Sequence, residues 1–207
     1  TLEEIARIAE EYDLLVISDE IYTAFSYQIP FIPFRSIGNM AERTITINSF
    51  SKNFNMTGWR VGNIVAPAHL IKVIQEIDGN VTFTASSVSQ RAAIHALRHR
   101  KEIQPSIIDE YRSRVMYVHE RVNRIPNMSV MLPQGTFYMF INIKETGLTS
   151  KEVSQILLEE AHVLTIPGNG FGSCGEGYLR LACTMKKDNL EEAFDRIEKV
   201  SIFRQKG

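Results

Sequence analysis

The sequence is short of several things, and each shortage removes a class of function. Two cysteines, Cys174 and Cys183, are too few for a disulfide scaffold, and Cys183 lies in a strand-like apolar run where a buried free thiol is the expected state. The five histidines show no metal-ligand spacing, so no metal is expected. Lys and Arg number 23 against 24 Asp and Glu, and the basic residues are spread along the chain. That leaves no electrostatic footprint for nucleic acid or an anionic membrane. No apolar run approaches the roughly 20 residues that span a bilayer, and the first residues carry no basic stretch followed by an apolar one. The expectation is a cytoplasmic protein. Internal repeats and low-complexity tracts are absent.

What is present centres on residues 43–62, RTITINSFSKNFNMTGWRVG. Residues 44–48 alternate β-branched side chains without a breaker, and Ser49-Phe50-Ser51-Lys52 then stops the pattern. A lone lysine at a strand end is ordinarily a solvated edge charge. Lys52 has apolar neighbours in Phe50, Phe54, Met56 and Trp59, and desolvation there would free its amine as a nucleophile. Ser49, Ser51 and Arg60 are close enough in sequence to hold a phosphate together. Ser49-Phe50-Ser51-Lys52 also satisfies S-x-x-K, the signature of serine acyl-enzymes, but no K-T-G occurs and the text at Ser18 departs from S-D-N.

Upstream, residues 2–12 read as an amphipathic helix, and residues 14–18 (LLVIS) as a strand buried on both faces. Asp19 and Glu20 follow at once. In open α/β sheets ligands bind beyond the carboxyl ends of the strands, so Asp19 and Lys52 are expected at one crevice; the plainer reading is a solvated turn. Residues 23–42 suit an irregular loop, with Phe25, Phe31 and Phe34 either lining a pocket or packing inward. Residues 60–66 read as a strand that pairs antiparallel with 44–48, which would bring Arg60 close to Lys52.

Helices are expected over 68–78, 86–99 and, after a break at Pro105, 107–125. The text then changes character: strands at 129–133 and 136–143, a helix over 150–161 with Ser150 as its N-cap, strands at 163–166 and 178–184, and a helix over 188–200. Gly168-Asn169-Gly170-Phe171-Gly172 lacks a following lysine and opens no helix, so it fails the conditions of a phosphate loop. Arg180, inside the apolar strand text Tyr178-Leu179-Arg180-Leu181, needs an anionic partner if buried: a structural ion pair or a ligand carboxylate.

SFSKNFNMTGWRVG resembles the lysine segment of the fold-type I, pyridoxal-phosphate-dependent aminotransferases of class I/II, the aspartate aminotransferase-like enzymes, at Ser49, Ser51, Lys52, Gly58, Arg60 and Gly62. SDEIY, IPGNGFG and YLRL resemble further segments of that family, and the likeness covers essentially the whole chain. It implies an α/β fold in which residues 1–104 are part of a mostly parallel-sheet cofactor domain and residues 105–207 an interdomain helix and a smaller C-terminal α/β domain. It implies that pyridoxal 5'-phosphate is bound covalently by Lys52, by Asp19 at the pyridine nitrogen, by Tyr22 at the ring oxygen, and by Ser49, Ser51 and Arg60 at the phosphate. Arg180 would grip the α-carboxylate of an amino acid or 2-oxo acid, and IPGNGFG would be a domain-closing loop.

The resemblance also implies a homodimer, and a family N-terminal half ahead of Thr1 without which this chain is expected to bind the cofactor weakly and to catalyse little. A β-lyase or decarboxylase of the same fold, or an aminotransferase-like sensor domain of a transcription regulator, would carry the same cofactor residues.

Overall fold

In the computed structural model, residues 1–204 are described, and the chain divides into two compact units, Thr1–Ile108 and Asp109–Gly207. The first opens with helix α1 (Leu2–Glu11), whose Ala6 and Ala9 are small enough to let the helix sit down on buried Phe34 and Met40. Strand β1 (Val16–Asp19) pairs in parallel with β2 (Thr44–Ser49), from Val16 opposite Thr44 to Asp19 opposite Ile47. β2 pairs antiparallel with β3 (Gly62–Val65), from Thr46 opposite Val65 to Ser49 opposite Gly62, as its spacing from residues 44–48 predicted. The sheet order is β1-β2-β3.

β1 is not buried on both faces: its side chains alternate, and Ile17 is 68% exposed. Within the loop of residues 23–42, Phe25 and Phe34 pack inward and Phe31 points out. Between β2 and β3 lies a single helical turn, α2 (Phe50–Asn53). Helices α3 (Ala68–Val81) and α4 (Ser87–Arg98) follow. Ala93 and Ala96 of α4 close a small cluster with Phe50, Met56 and Val61, and that cluster seats the lysine segment.

Helix α5 (Arg100–Val122) runs through Pro105, where a break was expected. The proline is in its second turn, where it removes one intrahelical hydrogen bond, to the Lys101 carbonyl, and the following turns carry the helix on. Its later part enters the second unit and buries Val115, Val118 and Val122 on one stripe. The sheet there is β4 (Tyr138–Asn142), β6 (Tyr178–Ala182) and the short β5 (Ile166–Pro167), all antiparallel with β6 central.

The run at 129–133 is not a strand. It makes one bridge, Ser129 to Asn142, and then leaves the sheet, with Met131 fully solvated and Pro133 lacking the N–H a ladder needs. Helix α6 (Ser150–Ala161) falls where expected, but Thr149 caps it: its Oγ1 accepts from the Glu152 N–H (3.3 Å), and the Glu152 carboxylate accepts from the Thr149 N–H (2.8 Å). Ser150 turns inward instead. Helix α7 (Lys187–Ile197) completes the unit, burying Leu190, Phe194 and Ile197. Cys183 is buried and free, as expected, and burial pushes its thiol up to about 12.

Candidate active site

The parallel pairing of β1 and β2 brings their carboxyl ends to one edge of the sheet. Asp19, the last residue of β1, is level with Ile47, so it stands beside the segment where β2 gives way to Ser49-Phe50-Ser51-Lys52. The register is locked just beyond by the Glu20 N–H donating to the Ile47 carbonyl (2.8 Å). The two acids after β1 have separate environments. Glu20 is buried and satisfied, accepting from the Ser18 hydroxyl and the Phe34 N–H, both at 3.0 Å. Asp19 is exposed at the sheet end; its Oδ1 accepts from the Ile21 N–H at 3.3 Å. Tyr22, half-buried, meets the buried Phe25 ring edge-on, with centroids 6.4 Å apart.

Ser49 is both the end of the strand and the N-cap of α2: its Oγ accepts from the Ser51 N–H at 3.1 Å. Lys52 sits half-buried in the turn so formed. Arg60 adopts the left-handed conformation, φ +50°, which turns the chain back into β3, and its guanidinium donates to the Thr57 carbonyl (2.9 Å). Ser49 and Gly62 face each other across the ladder, so Ser51 and Arg60 both lie just past that last rung. Only glycine fits at 62, because a Cβ would stand 2.6 Å from the Asn48 carbonyl oxygen.

Asn53 was not singled out by its sequence context, yet it joins the two halves of this edge. It is buried; its Nδ2 donates to Thr23 Oγ1 (2.8 Å) and its Oδ1 accepts from the Ala24 N–H (3.2 Å). The segment after Asp19 is thereby tied to the residue after Lys52. The available signal was an amide side chain directly after Lys52.

In the second unit, Arg180 is on β6, half-buried, with Phe140 and Ile166 as its cross-strand partners. Its guanidinium carbon lies over the rings of Tyr138 (4.6 Å) and Phe171 (4.7 Å). Among the described residues no carboxylate pairs with it, so the structural ion pair that such an arginine could make is absent. A cleft of about 710 Å³ opens on the same sheet face, over Tyr138, Phe140 and Tyr178. Among the described residues there is no cluster of His, Cys, Asp and Glu able to hold a metal ion, and no helix is long and apolar enough to cross a membrane.

The parallel strands of the mixed sheet end in an acid, Asp19, and in the serine that opens the lysine turn, Ser49. The family model for aminotransferase class I and II matches residues 1–197, and the chain belongs to that family. Aspartate aminotransferase of Pyrococcus abyssi is 44% identical over 203 residues, covering 96% of this chain and 52% of that protein. Aromatic-amino-acid aminotransferase 2 of Thermococcus litoralis is 42% identical over 203 residues, with the same 96% and 52% coverage. The crystal structure of an aromatic aminotransferase from Pyrococcus horikoshii superposes with a TM-score of 0.91 at 41% identity, over 96% of this chain and 54% of that one. The chain thus spans about half the length of the relatives it matches.

The family is pyridoxal-phosphate-dependent, and the residues present suit that cofactor. The close approach of β2 and β3 at Gly62 brings the backbone of Ser49, Ser51 and Arg60 to the end of the ladder where the Lys52 turn begins, and the Asp19 carboxylate stands at the neighbouring strand end. That set offers donors for a phosphate, a nucleophile for a carbonyl and an acceptor for a ring N–H.

Proposed function

We propose that this chain carries the lysine segment and the carboxylate-binding arginine of an aminotransferase that moves an amino group between an α-amino acid and a 2-oxo acid. The observation that supports it most is the convergence of Asp19 and the Ser49–Lys52 turn at one sheet edge through the β1–β2 register. In this reading residues 1–104 belong to the cofactor domain and 105–207 to the interdomain helix and small domain. Bound pyridoxal phosphate supplies a reactive carbonyl carbon and a ring that accepts the electron pair released from the substrate's α-carbon.

The residues of the chain do the rest. Ser49, Ser51 and Arg60 would hold the phosphate by charge-assisted hydrogen bonds. The Asp19 carboxylate would keep a proton on the ring nitrogen, and the Tyr22 hydroxyl would donate to the ring oxygen. Lys52 Nζ would hold the cofactor covalently and, when free, would serve as the base that accepts the substrate's α-proton and as the acid that gives it back. Arg180 binds the α-carboxylate, the group that the named substrates of aspartate, aromatic and diaminopimelate aminotransferases have in common. A cytoplasmic homodimer is part of the same proposal; the exposed Val73, Ile77 and Val81 of α3 offer apolar surface for association, to be tested by sedimentation.

The central test adds pyridoxal phosphate to the chain, reduces the adduct with borohydride and maps it by peptide mass. The label is expected on Lys52 and is lost in Lys52→Ala with the fold unmoved. A label scattered over several lysines, with none enriched at Lys52, overturns the assignment. For the reaction itself, oxo acid should form from an amino acid beyond one equivalent per bound cofactor only when a second 2-oxo acid is supplied; continued release without one would indicate elimination.

A further inference from the structure

The loop of residues 168–176 carries Phe171 to a specific place. Its base is pinned by two glycines packed backbone to backbone: a Cβ on Gly168 would stand 2.1 Å from the Gly175 carbonyl oxygen, and one on Gly175 would stand 2.0 Å from that of Gly168. The Glu176 carboxylate fastens the end of the loop to the start of α6, accepting from the Ser150 N–H (2.7 Å) and hydroxyl (2.9 Å). Phe171 projects from the pinned loop with its ring against the guanidinium of Arg180, while Tyr138 of β4 takes a second side. Phe140 buttresses Phe171 edge-on (centroids 6.1 Å, planes at 82°) and stacks on Tyr178 (5.0 Å, 12°). Arg180 is thus held by ring faces, with no carboxylate partner among the described residues.

We propose that Phe171 and Tyr138 are positioning residues that hold Arg180 between their rings and keep its N–H groups available for a substrate carboxylate. The assignment rests on the reading of Arg180 given above. Ring faces suit this task because they attract the cation through their quadrupoles without accepting conventional hydrogen bonds. A carboxylate from the protein would instead occupy the donors that the ligand needs. The loop's glycines and its Glu176 anchor then serve to deliver one aromatic ring, which gives Gly168-Asn169-Gly170-Phe171-Gly172 a role other than phosphate binding.

The test needs no catalysis. The Arg180 Nε–Hε resonance of the chain, assigned by its loss in Arg180→Lys, is followed by NMR while propionate is added as the carboxylate probe. The native resonance should lie upfield through ring currents and respond to propionate. In Phe171→Leu the upfield displacement should shrink and the propionate dissociation constant rise about three- to fivefold, the effect of one cation–π contact at a part-exposed site. Phe171→Tyr should restore both, and Tyr138→Leu should act like Phe171→Leu.

If Phe171→Leu and Tyr138→Leu, with amide spectra otherwise native, leave both the resonance and the affinity unchanged, positioning is overturned while the carboxylate reading of Arg180 stands. If propionate moves no Arg180 signal in the native chain, the carboxylate reading falls and the proposal with it.

Discussion

The two units bury their apolar residues differently. In the second, α5, α6 and α7 each bury a stripe of aliphatic or aromatic side chains, and Ile141, Ile143, Leu179, Phe194 and Phe203 are all essentially inaccessible. In the first, the buried apolar residues include two small clusters, and α3 buries none of its side chains. Val81 at the end of α3 is 70% exposed and Phe83 just after it 79%. Stability of the second unit is written into its own contacts. The first is built as a platform: its sheet positions Asp19 and the lysine turn, while much of its apolar surface is exposed.

The largest effect that tests this contrast comes from the dense side. Phe194→Ala removes an almost wholly buried ring from α7 and is expected to cost about 3–5 kcal/mol. Val81→Ser, on the exposed end of α3, should change stability by less than about 0.5 kcal/mol. Two probes follow the units separately under urea: fluorescence of Trp59, the sole tryptophan, for the first, and thiol labelling of buried Cys183 for the second. Val81→Ser costing as much as Phe194→Ala would break the comparison.

A second expectation concerns acid. Hydrogen bonds from the Ser150 N–H and hydroxyl, with others from Gly177 and Asn169, hold the Glu176 carboxyl below the usual range. A carboxyl whose pKa is depressed on folding stabilises the native state above its unfolded pKa of about 4.3, and that contribution disappears as pH falls through the lower folded value. Glu176→Gln should therefore be less stable than the native chain at pH 7, with the gap closing below about pH 4.3. Urea midpoints at pH 7 and pH 3 read this directly; a gap of constant size would mean that charge at Glu176 is immaterial.

How much of this was legible in the sequence follows the same division. Helix α6 and the pairing of β2 with β3 were readable because period and turn chemistry agree there. The run at 129–133 misled because its β-forming residues have no neighbouring strand to pair with beyond Ser129. Pro105 misled because a proline in the second turn of a long helix costs one hydrogen bond and not the helix. Ser150 was taken for a cap although Thr149, one residue earlier, has the capping geometry, and the Ser150 side chain serves Glu176 instead. At the candidate site the charged residues and hydroxyls were visible as a motif. Asn53, Tyr138 and Phe171 were not, because their importance lies in partners far away in sequence that no local pattern reveals.

The smallest effects are also the sharpest, because they are expected to differ in sign. The buried hydroxyls of the second unit are satisfied: Ser154 donates to the Thr165 carbonyl (3.0 Å), and the Thr165 hydroxyl donates to Ser154 Oγ (3.1 Å). Those of β2 are not; Thr44 and Thr46 each bury an Oγ1 without a partner. An unpaired hydroxyl forfeits its hydration on folding and regains nothing, whereas a paired one recovers most of the loss. Thr46→Val, which keeps the shape and discards the orphan, should stabilise the chain by about 1 kcal/mol, and Thr165→Val should destabilise it by about 1 kcal/mol. Both are measured as shifts in urea midpoint. If Thr46→Val destabilises instead, its hydroxyl has a partner in solution, and β2 is better satisfied than its contacts within this chain indicate.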